Sequence, residues 1–318
     1  MGASVFRYAK TRNDFLPNLT DQDFGFSIVR YTKCISLCEN SKDADTGAPV
    51  KIGAQTHHSS AISASNASTI VVRGRDLAQE LIGRISFTEH FWLLLTGTMP
   101  TGAQRHILDA TLVAIAEHGL VPSVQASRMT LAAAPEAIQG AVAAGILGCG
   151  SVVLGSSEAA GHFYAAIAAR TAAGAAPAQA ARSMILEYRA ARRPIPGYGH
   201  PEHTGLDPRA RRLFAVAAEV GSAGTFCDIA HQVESLLPEL IGRPLALNVS
   251  GAIPAVLLDA GYPLGALKGV PILARTAGLI AHLLEEQVRP IGFVLSHAGA
   301  TAIDYDGEVP PDFEPTRE

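Results

Sequence analysis

The chain has 318 residues, of which 48% are hydrophobic and 17% charged, a composition typical of a globular protein with a sizeable core. A net charge of −4 and an aromatic content of 6% argue against a nucleic-acid-binding surface. The four cysteines are irregularly spaced, unlike those of secreted disulfide proteins, and we find neither a signal peptide nor an apolar run of membrane-spanning length. We therefore expect a soluble, cytoplasmic protein.

The first 60 residues differ from the rest, because they are rich in small polar residues and contain one strand-like run, Phe26–Leu37. Residues 59–69 have the composition of a polar loop. From Asp76 onward, apolar residues recur at helical spacing and predict an all-α fold. The predicted helices cover 77–95, 101–118, an alanine-rich stretch from 133, 158–173, 176–192, 208–220, 226–240, 252–260 and 267–286, and an acidic tail follows residue 300.

A proline- and glycine-rich loop, Arg193–Gly199, ends at His200, and a helix is predicted to begin at Asp207-Pro208. Such a loop can hold a side chain over a cleft while its amides face a ligand. Arg209 would lie in the first turn of the following helix, where anions bind favourably. The histidine and the arginine indicate a carboxylate-binding and acid–base site. Solvated residues of a surface loop would have the same spacing, so both interpretations stay open at this point.

Pro196-Gly197-Tyr198-Gly199-His200, followed by Asp207-Pro208-Arg209, resembles the signature of the citrate synthase superfamily, which includes the citryl-CoA lyase module of ATP-citrate lyase. The resemblance extends from Arg73 to Pro290. It implies a helical fold of two domains, with the substrate in the cleft between them, and a homodimer or a larger assembly. The implied parts are an N-terminal segment 1–60, a large domain formed by 61–165 and 251–318, and a small domain formed by 166–250.

The resemblance also implies roles for individual residues. His200 would hydrogen-bond the oxygen on the central carbon of the substrate, and His118 would hold its oxaloacetate or citrate moiety. The implied substrate-binding residues are Arg128, Arg209, Asn248, Arg275 and Arg289, of which Arg289 would reach the partner subunit's site, and the implied CoA-binding residues are Gly197, Tyr198 and Gly199. Taken singly, His118 has the pattern of a helix cap, and Arg275 and Arg289 have that of surface arginines.

Two positions depart from the family's pattern. The family's catalytic aspartate, in Asn-Val-Asp, is replaced by Ser250, whose hydroxyl is not a base of comparable strength without an activator. The family's Leu-His-Gly-Gly turn is replaced by Leu154–Glu158, which has no histidine, as is also the case in the lyase module. Glu158 is a candidate acid, although a charge at a helix N-terminus explains it more simply.

These departures favour a citryl-CoA lyase that releases acetyl-CoA and oxaloacetate. The CoA thioester would be a substrate, with no permanently bound cofactor and no metal. A citrate or 2-methylcitrate synthase and a catalytically silent binder of CoA esters or tricarboxylates are the alternatives. Gly148-Cys149-Gly150 does not have the spacing of a dinucleotide-binding loop, and Cys34 and Cys38 with His57-His58 do not have that of a zinc site.

Overall fold

The computed structural model describes residues 59–150, 154–199 and 207–313. Ser60–Glu318 form one compact unit. The strand predicted at Phe26–Leu37 and the histidine His200 lie outside the described residues. The division of the remainder into a large and a small domain stays a prediction.

Eleven α-helices account for most of the described residues, which confirms the all-α fold class. They are α1 Phe87–Thr96, α2 Gly102–Ala116, α3 Pro122–Ala133, α4 Ile138–Leu147, α5 Ser156–Ala172, α6 Pro177–Ala190, α7 Pro208–Glu219, α8 Thr225–Ile241, α9 Val249–Asp259, α10 Gly269–Val288 and α11 Gly292–Ala302.

The start of the described chain contains a small sheet, the first strand of which lies within the predicted polar loop 59–69. Strands β1 Ser63–Ser65, β2 Ile70–Val72 and β3 Arg75–Asp76 pair antiparallel in the order β1-β2-β3. Leu77–Leu81 forms a single π-helical turn, separate from α1. The helix predicted over 77–95 is therefore two elements. The second of them starts at a capping box, in which the side chains of Ser86 and Glu89 satisfy each other's backbone amides.

Helices α3 and α11 are missing from the predicted elements. The buried face of α3 includes Ser123, Ser127 and Arg128, so its apolar periodicity is too weak to be recognised. Helix α11 buries only Gly292 and leaves Phe293 and Val294 exposed, so it has no apolar stripe facing this chain's core.

Helix α9 is the central helix of the unit. It contacts α2, α5, α7 and α8, and nearly all of its residues are buried. Its first turn carries Ser250 and receives the loop that contains the Gly-Tyr-Gly sequence. The position of the catalytic candidate is thus set by the most extensively packed helix of the fold.

Helix α10 packs against α2, α3 and α4 and carries Arg275, His282 and Glu286. The stretch Leu264–Val288 is long and apolar enough to cross a membrane, with a mean hydropathy of 1.3. A core helix meets the same criterion, and the packing of α10 on three other helices is that of a core helix. Its approach to α2 is close, because a Cβ at Gly278 would collide with the carbonyl oxygen of Ala116.

Candidate active site

The Gly-Tyr-Gly loop is fastened to the segment that precedes α9. Tyr198 and Leu247 form an antiparallel bridge, in which the Gly199 amide donates to Ala246 O (2.8 Å) and the Asn248 amide to Gly197 O (3.0 Å). The Asn248 side chain adds a bond from Nδ2 to Gly199 O (2.5 Å). The backbone leading to His200 is therefore held next to the start of α9 by main-chain pairing.

Two glycines allow this close approach. Gly197 has a φ of +87°, and a Cβ there would lie 2.6 Å from the Cα of Gly251. A Cβ at Gly251 would in turn lie 2.7 Å from Gly197 O. Any larger residue at either position would separate the loop from α9.

The side chain of Tyr198 points into the core. Its hydroxyl donates to Ala230 O (2.8 Å) and accepts from the Tyr164 hydroxyl (3.0 Å), and burial raises the pKa of Tyr198 well above its ordinary value. The side chain is therefore occupied within the fold. The assignment of Gly197, Tyr198 and Gly199 to CoA binding stays a prediction, and only main-chain groups of this loop remain as candidates for it.

Asp207 joins the first turns of α7 and α9. Its Oδ1 accepts from the Arg209 amide and Nε (both 3.0 Å), and its Oδ2 accepts from Arg209 Nη2 and the Val249 amide (both 2.9 Å). Burial opposes ionisation of this carboxyl, but the bonds from Arg209 and Val249 outweigh it and lower its pKa. Asp207 is therefore an ionised, fully occupied structural group.

Arg209 lies in the first turn of α7, as predicted. Asp207 occupies the edge of the guanidinium formed by Nε and Nη2, which leaves the opposite edge for a carboxylate. The side chain borders a cavity of about 520 Å³ between α2 and α7, with His106 and Asp109 on the facing wall. The geometry is compatible with the predicted role in binding substrate.

Asn248 is the N-cap of α9, and its Oδ1 accepts from the amides of Ser250 (2.9 Å) and Gly251 (3.3 Å). With Nδ2 on Gly199, both ends of this amide side chain are engaged, so its geometry favours a scaffold role over the predicted contact with substrate. Ser250 is half-buried in the same turn. The carboxylate that the contacts place at this turn is Asp207, and its four hydrogen bonds leave it no capacity to act as a base in place of the missing aspartate.

Arg275 is 3% exposed, and neither its Nε nor its Nη1 has a hydrogen-bond partner among the described residues. A buried cation without a partner costs several kcal/mol in the absence of a counter-ion. The structure thus provides, at the predicted position, a guanidinium able to receive an anionic ligand.

Arg128 is 2% exposed and is occupied by the fold. It donates to Glu286 (2.6 Å), to Glu285 (2.9 Å) and to the carbonyl of Arg289 (2.9 Å). Burial acts to raise the pKa of Glu286. The bonds from Arg128 and from the amides of Gly292 and Ile291 outweigh burial, so the pKa lies below its ordinary value. The structure therefore gives Arg128 the role of joining α3 to the end of α10, and it offers no support for the predicted role in substrate binding.

His118 lies exposed just beyond the end of α2. The preceding residue, Glu117, receives a hydrogen bond from its neighbour Gly119 (2.6 Å) and contacts Nε2 of His282 at 3.0 Å. Nδ1 of His282 faces Arg128 Nη1 at 3.4 Å. The two ring nitrogens of His282 therefore face Glu117 on one side and Arg128 on the other. The segment that carries His118 is thus tied to α3 and α10.

Arg289 is exposed at the end of α10, and its guanidinium makes no hydrogen bond or ion pair within the part of the chain that the structure describes. This is compatible with the predicted reach into a partner subunit, which stays a prediction.

Glu158 lies in the first turn of α5, 4.0 Å from Lys268 Nζ. This arrangement favours the role of a helix-terminal charge over that of a catalytic acid.

Sequence reasoning missed Asp207 as an anchor, His282 as the partner of Glu117, and the neighbours of Arg275. For Asp207 a signal existed, because the sequence already places it at the start of a helix, where an aspartate side chain accepts from the backbone amides of the first turn. The contacts of His282 and Arg275 join residues more than 120 positions apart, and no local pattern reveals them.

Residues 85–291 match the family described as citrate synthase, C-terminal domain. The fold is similar to that of citryl-CoA lyase from Hydrogenobacter thermophilus, with 30% identity, a TM-score of 0.71 and coverage of 80% of this chain and 97% of that one. No curated protein is significantly similar in sequence.

Two further solved structures have low sequence identity to this chain, so they show a similarity of fold and nothing more. ATP citrate lyase from Methanothrix soehngenii, in complex with citrate and coenzyme A, is 21% identical, with a TM-score of 0.64 and coverage of 91% of this chain and 48% of that one. Citrate synthase from Thermoplasma acidophilum, in complex with carboxymethyl coenzyme A and oxaloacetate, is 18% identical, with a TM-score of 0.57 and coverage of 72% and 59%. This chain thus spans about half the length of the ATP citrate lyase.

Proposed function

This chain belongs to the citrate synthase family, and on that premise we propose that it is a citryl-CoA lyase, which cleaves citryl-CoA to acetyl-CoA and oxaloacetate. Its relatives are enzymes that act on CoA esters, and this chain is an enzyme of the same superfamily. The lyase reaction is the part that requires a test, because both lyases and synthases share the fold.

The observation that carries the proposal is the first turn of α9. A synthase needs a base here to remove a proton from the weakly acidic methyl group of acetyl-CoA. This turn presents the hydroxyl of Ser250, and the neighbouring Asp207 is committed to Arg209 and Val249. The missing base slows both directions alike, because they share one enolate. The arrangement supports cleavage because citryl-CoA is an energised thioester, and its downhill breakdown tolerates protonation of the enolate by water or another acid.

In the proposed reaction, a base removes the proton of the tertiary hydroxyl of citryl-CoA. The carbon–carbon bond breaks as the ketone of oxaloacetate forms, and its electron pair passes to the acetyl-CoA enolate, which is then protonated. By family resemblance His200 is the base, and His118 holds the oxaloacetate or citrate moiety. Arg275 and the open edge of Arg209 supply fixed cations for the carboxylates.

The direct test measures oxaloacetate and free CoA thiol separately. Citryl-CoA should yield oxaloacetate, measured by NADH oxidation with malate dehydrogenase, without release of free CoA thiol. Acetyl-CoA with oxaloacetate should release no thiol at a comparable rate. His200→Ala should lower the rate of cleavage by about 10²–10⁴-fold, the usual contribution of a general base. Thiol release from acetyl-CoA and oxaloacetate would instead identify a synthase, and binding of citryl-CoA without turnover would identify the silent binder.

Ser250→Asp provides a matched variant, because it restores the family's residue without moving the backbone. We expect it to raise the exchange of acetyl-CoA methyl protons with deuterated water, in the presence of oxaloacetate, by about 10²-fold or more. Ser250→Asn, which has the same shape and no charge, is the control. Equal exchange rates in the two variants would show that this position does not face the methyl group.

We also propose that the enzyme is a homodimer in which Arg289 completes the partner's site. Exposed apolar side chains cluster near Arg289 in sequence, on the last turns of α10 and at the start of α11: Leu284, Val288, Phe293 and Val294. Apolar side chains that are exposed in one chain are typical of a surface covered by a partner.

A further inference from the structure

Three helices meet where Arg275 is buried. A Cβ at Gly145 in α4 would lie 2.7 Å from Leu279 Cδ1 in α10 and 2.8 Å from Ser123 O in α3. Leu279 is one helical turn after Arg275 and lies on the same face of α10. The start of α3, the end of α4 and the Arg275 turn of α10 are therefore in direct contact.

Two further polar side chains lie at this junction. Ser123 is 1% exposed and its Oγ has no hydrogen-bond partner in the described part of the chain. Cys149 is 8% exposed, and its thiol donates only a weak bond to Gly145 O at 3.4 Å. Burial raises the pKa of this thiol, while the charge of Arg275 and the hydroxyl of Ser123, both beside it, lower it by less. The three side chains thus converge.

Unpartnered polar atoms are rare in protein cores, and the ones at this junction belong to two different helices. All of the unpaired groups here are donors, or hydroxyls that can donate. Helix α3 also begins here without a side-chain cap, so the positive end of its dipole adds to the charge of Arg275. The two oxygens of one carboxylate would accept hydrogen bonds from both the guanidinium and the hydroxyl.

We propose that Ser123 and Cys149 join Arg275 to form a buried subsite for one carboxylate of the substrate. The guanidinium supplies the charge, the Ser123 hydroxyl donates a hydrogen bond, and the Cys149 side chain forms the wall that limits the size of the group bound. The identity of the ligand as a di- or tricarboxylate rests on the proposed function, and the existence of the subsite does not.

An uncharged Cys149 side chain suits the wall of a subsite that binds a carboxylate. A thiolate beside the carboxylate would repel it, and the burial that raises the pKa of Cys149 keeps the thiol protonated at neutral pH. Cys149 therefore fills space next to the anion without competing for Arg275.

Calorimetric titration with citrate tests the subsite without requiring turnover. Ser123→Ala should weaken citrate binding by about tenfold or more, as expected for the loss of a hydrogen bond to a charged group. Cys149→Ser, which conserves size, should bind citrate within about threefold of the wild type, and Cys149→Leu should bind at least about tenfold more weakly because it fills the subsite. Arg182→Gln is the matched control, because that arginine pairs with Glu239 on the exposed α6–α8 surface.

Alkylation of the thiol gives a second readout. Under alkaline conditions, where the thiolate forms, citrate should slow the reaction of Cys149 with iodoacetamide severalfold, as followed by peptide mass spectrometry, and leave the buried Cys227 in the same sample unaffected. The subsite is overturned if Ser123→Ala binds citrate like the wild type, if citrate does not protect Cys149, or if the wild type binds neither citrate nor oxaloacetate. Protection of Cys149 without cleavage of citryl-CoA would keep the subsite and reject the lyase. Cleavage of citryl-CoA without protection of Cys149 would keep the lyase and reject the subsite.

Discussion

Arg128 and Arg275 are 2% and 3% exposed, yet their surroundings differ completely. Arg128 meets two carboxylates and a carbonyl, whereas the Nε and Nη1 of Arg275 meet no acceptor within the described residues. The first arginine stabilises the fold, and the second is the one to which we assign a ligand. The family resemblance implies a substrate role for both, because a sequence motif shows the residue type and not the contacts.

Arg275→Met should stabilise the unliganded protein, because it replaces an uncompensated buried charge by an apolar side chain of similar length. We expect an increase of about 1–3 kcal/mol in the free energy of unfolding, measured with urea. The same variant should lose the rise in melting temperature that citrate gives the wild type. A destabilised variant that still responds to citrate would mean that Arg275 serves the fold.

Arg128→Met should have the opposite effect, because it leaves Glu286 buried without its cation. We expect a loss of about 3–5 kcal/mol in the free energy of unfolding, and partial recovery in Arg128→Met with Glu286→Gln. If the double variant is no more stable than the single one, the ion pair does not carry the effect.

The Arg128–Glu286 pair also predicts the pH dependence of stability. The pKa of Glu286 is lowered in the folded state, so its contribution is complete above the unfolded value of about 4.3 and is lost as the pH falls through the lower, folded value. Urea denaturation between neutral pH and about pH 3 should show this loss in the wild type. Glu286→Gln should show a smaller slope over the same range, and an unchanged slope would contradict the assignment.

At the scale of elements, most helices could be predicted from the sequence, and those that could not share a physical reason. Helix α3 turns Ser123, Ser127 and Arg128 towards the core. Because these buried residues are polar, the sequence of the helix shows no clear apolar periodicity. The Gly-Tyr-Gly loop was predictable because proline and glycine restrict the backbone locally. The subsite around Arg275 was not, because it forms only where α3, α4 and α10 meet.

The contact between α2 and α10 provides a test at this scale. Gly278→Ala should destabilise the protein by about 1–3 kcal/mol, because the added methyl group collides with Ala116 O and forces the two helices apart. Because α10 carries Arg275 and His118 follows the end of α2, citrate binding should weaken as well. Gly140→Ala in α4 is the control, because its Cβ would find ordinary contact at 3.6 Å and should be neutral or slightly stabilising. Equal stabilities would contradict the close packing.

At the scale of the whole molecule, the apolar side chains at the end of α10 bear on assembly. Leu284 and Val288 are 65% and 76% exposed, four residues apart on one face. Leu284→Glu with Val288→Glu should convert the proposed dimer into a monomer, as measured by sedimentation velocity, and lower activity through the loss of the partner's Arg289. Arg182→Glu, on another surface, should leave the assembly unchanged. A wild type that sediments as a monomer would refute the dimer.

The contact between Gly197 and Gly251 has a consequence for how this family can change its chemistry. The loop is attached to α9 by main-chain atoms and by the Asn248 side chain, so the side chain at position 250 takes no part in holding it. Replacement of that one side chain can therefore exchange a carboxylate for a hydroxyl while the surrounding backbone is conserved. On the proposed function, the catalytic group at this position and the fold are thereby separable in evolution: a lineage can lose the base that condensation needs without passing through a misfolded ancestor.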